Sequence, residues 1–171
     1  MPQINLSHTT PINPPSATPP LTVPQLWAGL QRKIRFAQEF VPVIESCTVL
    51  SEEAASSSGS FGSSGTVVTR EVIFKKGQSP KPRAKEVVRS YWPSWVEFEQ
   101  EDGSVIRNII SEGGGQGELY MTYAFQFVVQ GEEGSAGAEE EVGRLKKMAK
   151  MAVESSIAAI REMVKDGRIT V

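Results

Sequence analysis

Large apolar side chains alternate with smaller or polar ones between residues 118 and 129. Alternation sustained over this length is typical of a β-strand with one buried face. The side chains predicted to point inward on this strand are Leu119, Met121, Tyr123, Phe125 and Phe127. Another element must cover that face.

Two segments have apolar residues spaced by three and four positions instead. The first runs from Val23 to Ala37, with Thr22 as its expected N-cap and Pro24 in its first turn. The second begins near Val142 and ends before Gly167. This spacing predicts an amphipathic helix in each segment, and the second is the longer.

Shorter runs rich in β-forming residues are separated by turn residues, and a short helical piece is expected to end at residues 40–42. Further strands are predicted at residues 3–9, 43–50, 66–74, 86–92, 95–100 and 105–112, with a turn at 75–85 and a Ser/Gly-rich loop at 52–65. The loop can bury little surface, so we expect it to be mobile.

Strands joined by short turns are antiparallel neighbours, because a parallel pair needs a long crossover. Such a sheet has one buried face, and the long C-terminal helix is the only large element left to cover it. The pattern predicts an α+β fold, a curved antiparallel sheet wrapped around that helix. We expect one domain over residues 1–171, with residues 54–65 as its flexible loop.

Composition narrows the function classes. The 18 basic and 20 acidic residues give a net charge of −2, which argues against a nucleic-acid-binding surface. With Cys47 as the single cysteine and His8 as the single histidine, a Cys/His zinc site is excluded, and we expect no metal or cofactor. No apolar run suggests a membrane span, and no secretory signal is visible, so the expected compartment is the cytoplasm.

Five strings carry a resemblance to a known family: SHTTPINPP at 7–15, LWAGLQRK at 26–33, FVPVIESCTVL at 40–50, REVIF at 70–74 and GELYMTYAFQF at 117–127. They resemble the AtaL-like family, formerly a domain of unknown function. The element order is similar to the helix-grip fold of the START and Bet v 1-like (SRPBCC) superfamily, which includes polyketide aromatase/cyclases. The resemblance implies a hydrophobic cavity between sheet and C-terminal helix, and a context in fungal-type secondary metabolism. None of the strings is a catalytic signature.

The predicted cavity wall follows from which side chains face inward. On the strand at 66–74 we choose the face of Arg70, because the opposite face carries Glu71. The predicted ligand-binding residues are Arg70, Val72, Phe74, Val96, Phe98, Asn108, Ile110, Met121, Tyr123 and Phe125. The sequence does not decide whether the side chains of Arg89 and Tyr91 point into the cavity or away from it.

Arg70, Tyr123 and His8 are the candidate catalytic residues. A buried arginine must be paired, either with Glu86 or Glu112 in a structural ion pair or with a ligand carboxylate or enolate. Tyr123 either packs in the core or donates a hydrogen bond to a ligand oxygen. His8 is either a general base or a satisfied polar group. Asn108 either orients a ligand or is satisfied by backbone.

We therefore expect a protein that binds a small hydrophobic metabolite. A cofactor-independent cyclase, dehydratase or isomerase acting on such a metabolite is the alternative, and a protein-interaction module is the third reading. The sequence leaves open the ligand, any reaction and the oligomeric state.

Overall fold

The computed structural model describes residues 3–55, 65–79, 81–128 and 134–171, and it contains one antiparallel sheet of seven strands. The strands are β1 Gln3–Pro11, β2 Ile44–Ala54, β3 Thr66–Phe74, β4 Arg83–Tyr91, β5 Trp95–Gln100, β6 Val105–Glu112 and β7 Leu119–Val128. Their order across the sheet is β1-β7-β6-β5-β4-β3-β2, so consecutive strands from β2 to β7 are neighbours and β1 closes the row beside β7. The predicted antiparallel meander is confirmed.

Two α-helices accompany the sheet, α1 over Val23–Arg35 and α2 over Ala136–Lys165, with a single 3-10 turn at Ala37–Glu39 after α1. Thr22 begins α1 with a capping box, in which its side chain accepts from the Gln25 backbone N–H and the Gln25 side chain accepts in return. Gly167, with φ of 82°, follows the end of α2 as the sequence predicted.

Several predicted boundaries are wrong: β1 continues to Pro11, past its predicted end at residue 9, and α2 begins at Ala136, before the predicted segment. The two largest errors among the strands are in β2 and β4. Strand β2 continues to Ala54, where it pairs with Thr66, so residues 52–54 are strand and not loop. Strand β4 begins at Arg83, inside the predicted turn. In both places the hydrogen-bonded ladder to β3 overrides the weak strand propensity of polar residues. We expected the Ser/Gly-rich loop to be mobile, and residues 56–64 of that loop lie outside the described ranges.

The expectation that α2 alone covers the sheet is also wrong, because α1 packs into the same core. Gly29 explains how the two helices approach closely: a Cβ at this position would lie 2.4 Å from Ile160 Cγ1. The core that both helices share with the sheet includes Leu26, Leu30, Ile34, Val68, Val88, Val96, Phe98, Met121, Tyr123, Val153, Ile157, Ile160 and Met163.

The facing of the strands agrees with the alternation read from the sequence. Leu119, Met121, Tyr123 and Phe125 are buried, and Phe127 is partly buried against the same core. On β4 the undecided pair points outward: Tyr91 is exposed and Arg89 forms an ion pair with Glu99 on the outer face. Within the described ranges, neither helix combines the length and the apolar character needed to cross a membrane.

Candidate functional site

Four polar side chains meet in the interior between the two helices and the sheet. Lys33 comes from α1, Asn108 from β6, Tyr123 from β7 and Ser156 from α2, and we call them the Lys33 cluster. The Lys33 Nζ donates to Asn108 Oδ1 and to Tyr123 Oη, both at 2.9 Å. All four residues are buried, with Lys33 the most exposed at 7%.

Burial strongly disfavours the charged form of the lysine. It lowers the pKa of Lys33 from 10.5 to about 7, with the positive charge of Arg70 adding to the shift and Glu86 opposing it. The ammonium also lies 4.3 Å from the centroid of the Tyr123 ring, and such a contact stabilises the charged form. The side chain therefore has both protonation states available near neutral pH.

The same burial acts in the opposite direction on the phenol. It raises the pKa of Tyr123, and the neighbouring Ser156 hydroxyl offsets only part of that shift. Tyr123 is a hydrogen-bond donor as well as the acceptor from Lys33, since a phenol carries one O–H and can accept. At neutral pH it keeps its proton.

The cluster has more donors than acceptors. Asn108 Nδ2 has no hydrogen-bond partner among the described residues, and the Ser156 Oγ, which lies close enough to Tyr123 to lower its pKa, makes no hydrogen bond of good geometry there; both residues have no exposed surface. A buried polar group that lacks a good hydrogen bond costs about 1–3 kcal/mol, so both groups need an explanation. A ligand oxygen placed between them would accept from both.

Arg70, for which the sequence left open a structural ion pair or a ligand clamp, is occupied by protein groups. Its Nε and Nη2 contact Glu86 Oε2 at 2.8 and 2.6 Å, and Gln100 Nε2 donates to the other carboxylate oxygen. Its Nη1 donates to the carbonyl oxygens of Lys33 and Ile34 at 2.8 and 2.9 Å. The geometry favours the structural ion pair with Glu86 over the clamp, and it ties β3 to the last turn of α1, which carries Lys33.

An open groove runs between β1 and α2, with a volume of about 540 Å³, lined by Asn5, Leu6, Ser7, His8, Lys146 and Ala149. His8 is the cross-strand partner of Tyr123, so their side chains lie on the same face of the sheet. The groove therefore lies along β1, the strand next to the one that carries Tyr123. A second depression, of about 330 Å³, includes Phe125 and Leu6 in its wall.

The predicted ligand-binding residues divide into two groups. Val96, Phe98, Ile110, Met121, Phe125, Tyr123 and Asn108 lie in or beside the main core around the Lys33 cluster. Val72 and Phe74 instead pack with Ala37, Ile44 and Ala84 in a smaller cluster near the other edge of the sheet. Of the three candidate catalytic residues, only Tyr123 belongs to the Lys33 cluster. Their roles toward a ligand stay predictions.

Sequence reasoning missed Lys33 and Ser156. The signal was present, because Lys33 follows Leu30 by three positions and Leu26 by seven, which places it on the apolar face of α1. On α2, Ser156 follows Val153 by three positions and precedes Ile160 by four, so it also lies on an apolar face. A polar residue inside an apolar stripe was the feature to examine.

Within the described part of the chain, no three His, Cys, Asp or Glu side chains come together in a way that could hold a metal ion. The Lys33 cluster offers an amine, an amide and two hydroxyls. These groups suit hydrogen bonding to oxygen better than metal coordination.

Comparison with known proteins gives a family match over nearly the whole chain. The model of the AtaL family, described as "Acetylaranotin biosynthesis cluster protein L", matches residues 6–167. Among curated protein sequences, none matches the chain.

Solved structures share the fold at low sequence identity. The di-domain ARO/CYC BexL from the BE-7585A biosynthetic pathway is 12% identical with a TM-score of 0.59, over 92% of this chain and 50% of that one. The di-domain ARO/CYC StfQ from the steffimycin biosynthetic pathway is 8% identical with a TM-score of 0.65, over 96% and 52%. The chain thus spans about half the length of these two proteins.

Ara h 8.0201 is 10% identical to the chain with a TM-score of 0.53, over 93% of this chain and 98% of that one. A sheet curved around a long C-terminal helix is common to all three structures and this protein. The predicted helix-grip, Bet v 1-like fold is therefore confirmed.

Proposed function

The chain belongs to the AtaL family, and from that premise we propose that it binds a small hydrophobic metabolite of secondary metabolism through an oxygen atom of the ligand. The family description places its namesake in a biosynthesis cluster, which supports this context. The observation that carries the proposal is a pair of buried groups beside Tyr123, Asn108 Nδ2 and Ser156 Oγ, which lack a well-formed hydrogen bond among the described residues.

The ligand's apolar part has a route in the groove between β1 and α2. One face of α2 carries both Ala149, which lines the groove, and Ser156, which belongs to the Lys33 cluster. The two residues are two helical turns apart, about 10 Å along the helix. A flat aromatic compound of two rings is about that long, so a carbonyl at one end would reach the cluster while the other end stays in the groove. Val153, which is buried between these positions, must shift to admit it.

Binding is tested by a matched pair of probes, 2-acetylnaphthalene and 2-isopropenylnaphthalene, which have the same heavy-atom skeleton and differ in a methylene group in place of the carbonyl oxygen. Isothermal titration should show that the ketone binds about tenfold more tightly, which is the value of one good buried hydrogen bond. The advantage should shrink in Ser156→Ala and Tyr123→Phe. It should persist in Tyr120→Phe, the control, whose hydroxyl contacts Glu118 on the exposed side of the same strand.

Equal affinity for ketone and hydrocarbon in all four proteins would contradict the proposal. Absence of binding by both probes would instead favour the protein-interaction reading.

Catalysis on the same ligand is the second candidate function, favoured by the contact between an amine of lowered pKa and a protonated phenol. Such a pair can donate and accept a proton at one substrate oxygen, as cyclisation, dehydration and isomerisation require.

A further inference from the structure

Resting on the proposed function, we infer that Lys33 is a nucleophilic amine that condenses with a ketone or aldehyde group of the ligand to form an imine. A neutral lysine amine has two N–H groups and one lone pair. In the structure two directions from Nζ are used by its hydrogen bonds to Asn108 Oδ1 and Tyr123 Oη. With both N–H groups held by these acceptors, the lone pair is left free to attack.

The groups that would receive the carbonyl oxygen surround the same amine. Asn108 Nδ2 and Ser156 Oγ are buried without a well-formed hydrogen bond among the described residues, and the Tyr123 hydroxyl keeps a proton to donate. Donors aimed at an oxygen that becomes negative during the attack stabilise the transition state. The arrangement therefore provides a nucleophile and an oxyanion site within one buried pocket of side chains.

The reaction balances without a further reactant. The Nζ lone pair forms the C–N bond while the carbonyl π electrons move to oxygen. Tyr123 gives its proton to that oxygen and takes one from the nitrogen, which leaves a neutral carbinolamine. The C–O bond then breaks, the second nitrogen proton leaves with the oxygen, and the products are the imine and water.

The neutral form of the Lys33 amine is populated near neutral pH because the side chain is buried, and the charges around it adjust the balance. Arg70 from β3 raises the cost of a second positive charge, Glu86 from β4 lowers that cost, and Tyr123 from β7 is uncharged at neutral pH. The helix α2 and strand β6 contribute the uncharged Ser156 and Asn108. Burial is the largest influence, and it lowers the pKa of Lys33 to about 7.

Benzoylacetone tests the inference, because an aromatic 1,3-diketone condenses with an amine to a stable enaminone whose formation is seen by absorbance and by mass. We expect one adduct per chain, mapped to Lys33 by peptide mass spectrometry. Its rate should increase with a midpoint near pH 7. At neutral pH Lys33 should react on the order of a hundredfold faster than a surface lysine of ordinary pKa.

The adduct should disappear in Lys33→Met and persist in Lys147→Met, which alters an exposed lysine of α2. Mapping on the unaltered protein decides the matter if Lys33→Met fails to fold. Labelling spread over exposed lysines, or a rate that increases only near pH 10, would overturn the inference. If 2-acetylnaphthalene binds but benzoylacetone leaves Lys33 unmodified, this inference fails while the proposed function stands. If neither compound binds or reacts, both fail.

Discussion

Lys33 is protonated in the unfolded chain at neutral pH, whereas burial in the folded protein lowers its pKa from 10.5 to about 7. Between these values the unfolded state binds more protons than the folded state. The free energy of unfolding therefore increases as the pH increases from about 7 toward 10.5, by at most about 1.4 kcal/mol per pH unit. Burial raises the pKa of Tyr123, so its phenol adds no opposing slope below about pH 10.

Replacing the lysine with methionine should remove this slope. Urea unfolding at about pH 7 and about pH 9 should show Lys33→Met losing most of the wild-type gain in stability between the two conditions. The control Lys147→Met, at an exposed position, should keep the gain. The same pH dependence in Lys33→Met as in wild type would show that the folded protein does not depress the pKa of Lys33.

Arg70 forms a buried ion pair with Glu86. Removing one partner of a buried ion pair leaves the other charge uncompensated, which costs about 3–5 kcal/mol. Arg70→Met should therefore lower the free energy of unfolding by this amount, and adding Glu86→Gln should restore part of it. Arg107→Met, at the exposed pair with Glu97 on β5 and β6, should change stability by less than about 1 kcal/mol. Chemical denaturation of the wild type and these three variants tests this prediction.

If Arg70→Met instead keeps its stability and loses only ketone binding, the ion pair is not structural. Arg70 would then be the ligand clamp that the sequence suggested as one of its two readings. The two results are separable because one is measured without ligand.

At the scale of elements, the contact between α1 and α2 depends on Gly29. Alanine at this position would place its Cβ 2.4 Å from Ile160 Cγ1, and overpacking of this kind costs about 1–3 kcal/mol. Alanine's better helix propensity returns about 1 kcal/mol of that. Thermal unfolding should therefore show that Gly29→Ala lowers the free energy of unfolding by between zero and about 2 kcal/mol. The loss should be larger if Ile160 cannot move away from the new methyl group.

Gly143 is the matched control, since it is also in a helix and no atom lies within 4 Å of its would-be Cβ. Gly143→Ala should stabilise the protein by about 1 kcal/mol. If the two substitutions have equal effects, the helices do not make the close contact described.

The elements themselves were largely predictable from the sequence, because each strand and helix has one apolar face. The strands at 66–74, 95–100 and 105–112 have the bounds read from alternation. The end of β2 was not predictable, since its exposed Ser and Glu residues pair with β3 only through backbone. The Lys33 cluster was half predictable: alternation placed Tyr123 and Asn108 inside, but a lysine is expected on the surface. Only the packing of α1 against the sheet buries Lys33.

At the scale of the whole molecule, the sheet and both helices converge on one buried polar cluster, and an open groove lies at the β1 edge of the sheet. Core side chains such as Val153 and Phe98 occupy the interior between sheet and helices, where the sequence predicted a cavity. A ligand that reaches the cluster must displace some of this packing. Because the ligand binds the folded state, it should still raise the melting temperature, by an amount that grows with the logarithm of its affinity.

Asn108 Nδ2 and Ser156 Oγ lack a well-formed hydrogen bond among the described residues, and the proposed function depends on a ligand oxygen being the acceptor that both groups use. A crystal structure with 2-acetylnaphthalene tests it most directly. We predict the ketone oxygen at about 3 Å from both atoms, with the ring system directed toward His8 and Ala149. A ketone oxygen pointing into solvent, with Asn108 and Ser156 hydrogen-bonded to other protein groups, would contradict the account.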